Sequence, residues 1–509
     1  MSGLVASDNL ADRGKRIVTA AEPLKKSGEF SRLWGESGEL FDPRGRLDDY
    51  SYAGYRRGES SPAERPVDAS VRDYGAVGDG VTDDSDAFLR ALAACPGKVL
   101  SIPPGRYLIK KVLTLRDSQT VLRGAGPGVS KLRCPTPLQV IRPEWAETTT
   151  GQKTSRYSWS GGILEVVGSF PNRPLARVAS EASRGERSLR VDNPRRLVVG
   201  QDYVLRQDDD ETQSLTRHLY AEDPGSISEL RGVRELFAFR VTAIDVATRM
   251  IELDRPLRTD VRETWSPIVL DGRSSVEEVG IEQLGFEFPA GRYAGHFTEQ
   301  GFNAIAMIGV RNSWIRNIHI HNADSGLFVG GSQISLSGIR WSSERPPERT
   351  RQATGHHGII LSGQDHLLTD FSMETRFMHD ITVTRGSAGN VVMRGRGIDL
   401  CLDHHRYAPH SNLFTDLDLG VGSRMFQSGG GANLGRHCGA YETFWNIRSE
   451  QPQTWPVNFG PDRINLVGLT THAPSRLEPR GRWFEAIAPE RLSPPNLYSA
   501  QLAKRLGRN

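Results

Sequence analysis

VRDYGAVGDGVTDDSDAFLRALAACPGKVLSIPPGRYLI, residues 71–109, is the stretch that decides the fold. A short strand runs into Gly75, Gly78 and Gly80, where the backbone turns tightly. Thr82, Asp83, Asp84 and Ser85 offer N-caps to a helix carrying Ala87, Phe88, Leu89, Ala91 and Leu92 on one face. Cys95-Pro96-Gly97 ends that helix, and the strand Val99–Ile102 follows. Pro103-Pro104-Gly105 then turns the chain into Tyr107-Leu108-Ile109. Asp79, Asp83 and Asp84 resemble catalytic acids, but their positions suit turn and cap chemistry.

Working outward, the chain of 509 residues is long for one domain unless it is a solenoid, whose core grows in one dimension. Hydrophobic residues make up 37% and charged residues 25%, an ordinary balance for a globular chain. The 53 glycines and 29 prolines favour turn-rich β architecture over helices. A net charge of +3 gives no reason to expect a nucleic-acid partner. No run of eighteen apolar residues occurs, so no membrane span is expected. The start, MSGLVASDNLADRGKRIVTAAEPL, has no apolar leader core. The expected location is extracellular or periplasmic if a leader was removed, and cytoplasmic otherwise. Cys95, Cys134, Cys401 and Cys438 form no CxxC pair and read as buried thiols, with a Cys401–Cys438 bridge left open. Lysine is absent between Lys153 and Lys504, so arginine supplies the positive charge there. That reads either as codon bias or as planar groups for gripping sugar hydroxyls and carboxylates.

From about residue 275 short strands recur with the period of one solenoid turn. They begin at Asn303, Gly326, Gly358, Asp380, Asp399 and Ser423, with second strands such as SWIRNIHIHNA and NLFTDLDLG between them. Before them, 175–262 alternates apolar and polar residues in period two and reads as an inserted β-subdomain. Its acidic run Asp208–Glu211 reads as a solvated loop. The expected organisation is an arm over 1–70, a capping segment and first rungs over 71–174, the insert over 175–262, the main body over 263–480 and a tail over 481–509.

The 71–109 segment resembles the N-terminal capping segment of the pectate-lyase superfamily, shared by rhamnogalacturonase-like and polygalacturonase-like proteins and by phage tailspikes. The resemblance implies an all-β right-handed parallel β-helix whose helix plugs the first rung, and an enzyme cleaving glycosidic bonds in a polysaccharide or oligosaccharide. GHHG at 355–358 resembles the Gly-His-Gly element of the polygalacturonase-like hydrolases, but their full NxD…DD…GHG…RxK order is not reproduced.

Stacked rungs bring residues distant in sequence to about one strand spacing, ~4.8 Å. The stretch 356–437 holds eight of the 13 histidines: His356, His357, His366, His379, His404, His405, His410 and His437. Aligned on apolar pattern, Gly358, Asp380 and Asp399 share one column, and Thr384 and Asp403 another. Asp380 and Asp403 are therefore the candidate acid and base or nucleophile, with Asp399 as substitute and His379 and His404 tuning them. His357, Arg385, His405, Arg406, Arg424, His437 and Glu442 are the candidate substrate-binding residues. Asn390 and Asn412 read as an inward asparagine ladder, and Asp416 and Asp418 as corner residues bonded to backbone. No HExxH or EF-hand spacing occurs, so no metal or cofactor is expected, calcium entering only with lyase chemistry. A polysaccharide lyase and a non-catalytic tailspike-like binder stand as the rival readings, and the oligomeric state is left open.

Overall fold

The computed structural model describes residues 28–148 and 151–508. The leader reading and residues 1–27 of the expected arm fall outside them.

The body is a right-handed parallel β-helix. One seven-stranded parallel sheet carries the site, and its strands are β1 (Leu113–Leu115), β2 (Leu164–Val167), β3 (Asn303–Arg311), β4 (Ser325–Ser332), β5 (Gly355–Gln364), β6 (Phe377–Val383) and β7 (Leu402–His404). Every second side chain points inward. Leu113, Leu164, Ile305, Leu327, Ile359, Ile381 and Leu402 thus form one fully buried column.

The second parallel sheet bends at a column of residues rather than running flat. Gln283, Asn317, Gly338, Asp370, Arg394, Asp416, Asn446 and Gly468 all have positive φ. On either side, residues pair in register from one strand to the next, for example Arg316 with Ser337 and Ile318 with Ile339. A left-handed residue turns the chain sharply, and Asn, Asp and Gly tolerate it best. Repeating it on every turn gives the coil its third face. Asp416 sits in this corner, and Asp418 accepts the Gly420 N–H at 3.0 Å.

Inside the coil a polar ladder runs along the stack. Asn390 donates to Asn412 at 2.9 Å, and Asn412 donates to Glu442 at 2.7 Å. Each amide satisfies its neighbour, which a buried polar side chain requires. The four cysteines are free and buried.

The helix α1 (Ser85–Ala94) buries Ala87, Phe88, Ala91 and Leu92 in the main core, with Phe88 edge-on to Tyr107. Asp79 accepts the N–H groups of Val81 and Thr82, and Asp84 accepts those of Val77 and Gly78. Asp83 accepts the Ser85 N–H. These three acids close turns.

An antiparallel six-stranded sheet lies between Pro174 and Asp271 with its own core of Leu189, Tyr203, Phe237, Phe239 and Ile251. Buried charges tie it to the coil. Arg255 and Arg258 both donate to Asp365, and Arg258 also reaches Asp48 of the N-terminal arm. The arm's Trp34, Leu47 and Tyr50 pack with Leu413, Trp445 and the C-terminal Leu497 and Tyr498.

A second tie is His410, whose Nε2 lies 3.1 Å from Glu235 of the antiparallel sheet. Burial pushes the His410 pKa down, but the Glu235 carboxylate outweighs it, so the net shift is upward. A raised folded pKa means this tie is fully present below the ordinary imidazole value, about 6.5. It is lost as pH rises through the raised value. Urea midpoints of the wild type and His410→Gln should therefore differ most near pH 6 and converge at alkaline pH.

Candidate active site

The outward side chains of the seven-stranded sheet form a column of Thr114, Glu165, Ala306, Phe328, Ile360, Thr382 and Asp403. Apolar contact among Ala306, Phe328 and Ile360 gives way at its end to polar groups. Asp403 has 0% exposure and is held from three sides. Its Oδ1 accepts the Gly429 N–H at 2.7 Å, and its Oδ2 accepts the Thr382 hydroxyl at 2.9 Å and lies 2.9 Å from His405 Nδ1.

Histidines surround this carboxylate. His357 and His379 stand in register on β5 and β6 with ring centroids 5.0 Å apart. His379 lies 5.1 Å from His405, and its Nδ1 is 3.3 Å from Asp403. His356 stacks beside His357 at 4.0 Å and meets His296 at 4.5 Å. His296 and Glu299 come from a loop preceding β3, and Glu299 lies 3.4 Å from His356 Nδ1. His356, His357 and His379 are buried, His296 is exposed, and the His405 side chain is 32% exposed. The cluster is a buried floor whose mouth is its solvent side, at the exposed His296 and the partly exposed His405. Gly429 closes one wall, where a Cβ would sit 2.4 Å from His405 Cε1.

Desolvation pushes the histidines other than His405 toward neutrality. His379 falls to about 3 and His296 to about 4, and His356 and His357 lie well below the usual value. His405 is the exception: burial lowers it, but Asp403 more than compensates, and the net shift is upward. Burial raises Asp403, yet His379 and His405 hold it well below the carboxylate range. Desolvation lifts Glu299 to about 7, with the Tyr293 hydroxyl bonded to it at 2.5 Å.

The structure thus gathers Asp403, His379, His405 and His357, and adds Thr382, His296, His356 and Glu299. It places other sequence candidates elsewhere. Ile381 pairs with Leu402 and Thr382 with Asp403, so the neighbour of Asp380 is Cys401, two positions from the expected Asp399. A two-residue slip preserves inside-outside alternation, which is why apolar pattern cannot detect it. Asp380 is buried, paired with Arg424, and accepts the N–H groups of Phe377 and Cys401 at 2.8 Å. Burial raises its pKa against the pull of Arg424. Asp399 is likewise taken by Ser423 and Arg376. Arg424 donates to the backbone oxygens of Asp399 and Phe377, so it braces a turn rather than facing the mouth.

His404 follows Asp403 and must point the opposite way. It ends the inward column Leu115, Val166, Met307, Val329, Leu361 and Val383, at 0% exposure among Phe414, Phe444 and Phe459. Glu442, also at 0%, is the end of the asparagine ladder and no part of a substrate surface. His437 sits near the rim with Nδ1 3.2 Å from His404 O, and Arg406 binds the Gly430 and Gly435 carbonyls. Arg385 is exposed and stacks over Tyr407, 5.1 Å from its centroid. Glu299 and His296 gave no sequence signal, because their loop has no rung periodicity.

Residues 69–138 match a family model described as Rhamnogalacturonase A/epimerase, pectate lyase-like. A Pre-neck appendage protein of Bacillus phage B103 is 46% identical over 57 residues, 11% of this chain and 6% of that protein. A glucan 1,3-beta-glucosidase of Cochliobolus carbonum is 36% identical over 108 residues, 19% of this chain and 14% of that one. The mannuronan C5-epimerase AlgE6 of Azotobacter vinelandii is 38% identical over 77 residues, 13% and 9%. The chain therefore covers only a small part of these relatives' lengths. Among solved structures, the tailspike protein gp49 from Pseudomonas phage LKA1 aligns at TM-score 0.47 and 14% identity, over 79% of this chain and 64% of that one. An exopolygalacturonase from Thermotoga maritima aligns at 0.35 and 11%, over 80% and 70%. Similarity at this level says nothing about activity.

Replacing Asp380 by Asn should act on stability. It leaves Arg424 buried with its main counter-charge gone, a loss of about 3 kcal/mol by the usual cost of breaking a buried pair. Urea denaturation of Asp380→Asn against the wild type measures it.

Proposed function

We propose that this chain, a pectate lyase-like right-handed parallel β-helix protein, is a carbohydrate-active enzyme working on an acidic polysaccharide or oligosaccharide through His405 and Asp403. The observation that carries this reading is the 2.9 Å contact between His405 Nδ1 and Asp403 Oδ2 at the open mouth of the cluster. It leaves Nε2 as the ring's remaining polar atom, on a partly exposed side chain. Asp403 fixes the ring's tautomer and orientation, the usual task of a carboxylate behind a catalytic histidine.

Hydrolysis through two carboxyl groups needs a pair flanking the scissile bond. Asp380 and Asp399, the sequence's candidates for the second carboxyl, are spent on arginines and backbone. Proton transfer by an imidazole suits elimination better. His405 Nε2 takes the C5 proton of a uronate, the C4–O bond breaks as the C4–C5 double bond forms, and the departing oxygen receives the proton from the same imidazolium. The positive charge of Arg385 reaches His405, and that of Arg351 reaches His379 and His296, so an anionic sugar would meet a favourable field. A hydrolase remains the second reading because of Glu299, whose pKa of about 7 is what a general acid needs.

Elimination produces an unsaturated uronate that absorbs in the ultraviolet, whereas hydrolysis yields reducing ends without it. The expected result on uronate polymers is ultraviolet-absorbing product, lost about 10²–10⁴-fold in His405→Gln. Reducing ends without absorbance would replace this reading by hydrolysis. Absence of both, with binding retained, would make the protein a glycan binder.

A further inference from the structure

We propose that His296, His356 and His379 form a site for one first-row divalent transition metal ion, beside the partly exposed His405. One nitrogen from each ring lies within 4.8 Å of the others, close enough for a single ion to bridge them. Two of the three rings are buried, and neither ring nitrogen of His356 or His379 makes a hydrogen bond. Buried imidazole nitrogens left without hydrogen bonds cost free energy unless something else takes the lone pair.

The surroundings match the second layer of a metal centre. His356 Nδ1 is 3.4 Å from Glu299, and His379 Nδ1 is 3.3 Å from Asp403. A carboxylate beside each of these two Nδ1 atoms would leave Nε2 for the ion, as metal-bound histidines usually require. Glu299 is itself held by the Tyr293 hydroxyl at 2.5 Å. His296, stacked on Phe297 with centroids 3.7 Å apart, supplies the third ring from the solvent side. Three nitrogen donors select zinc, cobalt, nickel or copper over calcium, which prefers six or more oxygens. The set differs from the calcium expected with lyase chemistry. Three protein ligands leave an open position toward the mouth, where an anionic sugar oxygen can bind. That last role rests on the function proposed above; the binding of the ion does not.

The test uses the full chain, stripped with chelator and titrated with Co²⁺ while its visible absorption is followed. One equivalent should bind with the bands of a low-coordinate nitrogen site, Zn²⁺ should displace it, and Ca²⁺ should not. His296→Gln, on an exposed ring, and His356→Gln should each weaken binding at least tenfold. His405→Gln should bind the ion as the wild type does, whereas weakened binding there would put the ion on His379, Asp403 and His405 and overturn the proposal. Failure of the wild type to bind one equivalent saturably, or unchanged affinity in the folded His296→Gln variant, overturns the proposal. Unchanged circular dichroism of each variant identifies it as folded.

Discussion

Everything in this molecule depends on the register with which one turn of the coil hydrogen-bonds to the next. Parallel pairing fixes each residue above its counterpart at one strand spacing. Ile305, Leu327, Ile359, Ile381 and Leu402 lie 22, 32, 22 and 21 residues apart, yet they form one buried line. The unequal lengths are absorbed in the loops, which can lengthen at small entropic cost while the stack stays regular. Because the line is fixed, the outward column beside it is fixed too. That is how Thr382 and His405 come to share Asp403 Oδ2 as their hydrogen-bond acceptor.

The site uses this regularity and then departs from it. The strands set Asp403, His357 and His379, while loops bring His296, Glu299 and Gly429 over them. Covering the sheet's outer face excludes water from the rings, and dry surroundings keep them neutral. Of the five imidazoles, only His405 has a net upward shift, set by its contact with Asp403. Neutral rings are good ligands, and a raised pKa makes His405 the stronger base once its Nε2 is deprotonated. The electrostatics of the cluster therefore follow from its burial.

The rest of the chain braces this arrangement. Asp365 at a turn of the coil takes two arginines from the antiparallel sheet, and Asp48 of the arm takes one of the same pair. Such buried pairs add little net stability but punish misplacement of either partner. They hold the appended sheet in one position against the coil. The arm and a C-terminal helix, Leu497–Arg505, cover the second sheet's outer face with Trp34, Tyr50, Leu497 and Tyr498.

The sequence by itself determined the architecture. Residues 71–109 carry turn, helix and strand chemistry that is local, and the short apolar strands after 275 recur with the period of one solenoid turn. The inward asparagine ladder and the turn roles of Asp79, Asp83 and Asp84 were legible for the same reason. The expectation that His404 tunes the acids fails because strand alternation turns it inward from Asp403, into the core. Tertiary structure alone decided the register between β6 and β7, because a slip of two leaves every hydrophobic residue inside. It therefore decided that Asp380 and Asp399 serve Arg424 and its turn while Asp403 serves the histidines. It also decided the presence of His296 and Glu299, whose loop carries no periodicity and is placed only by what it packs against.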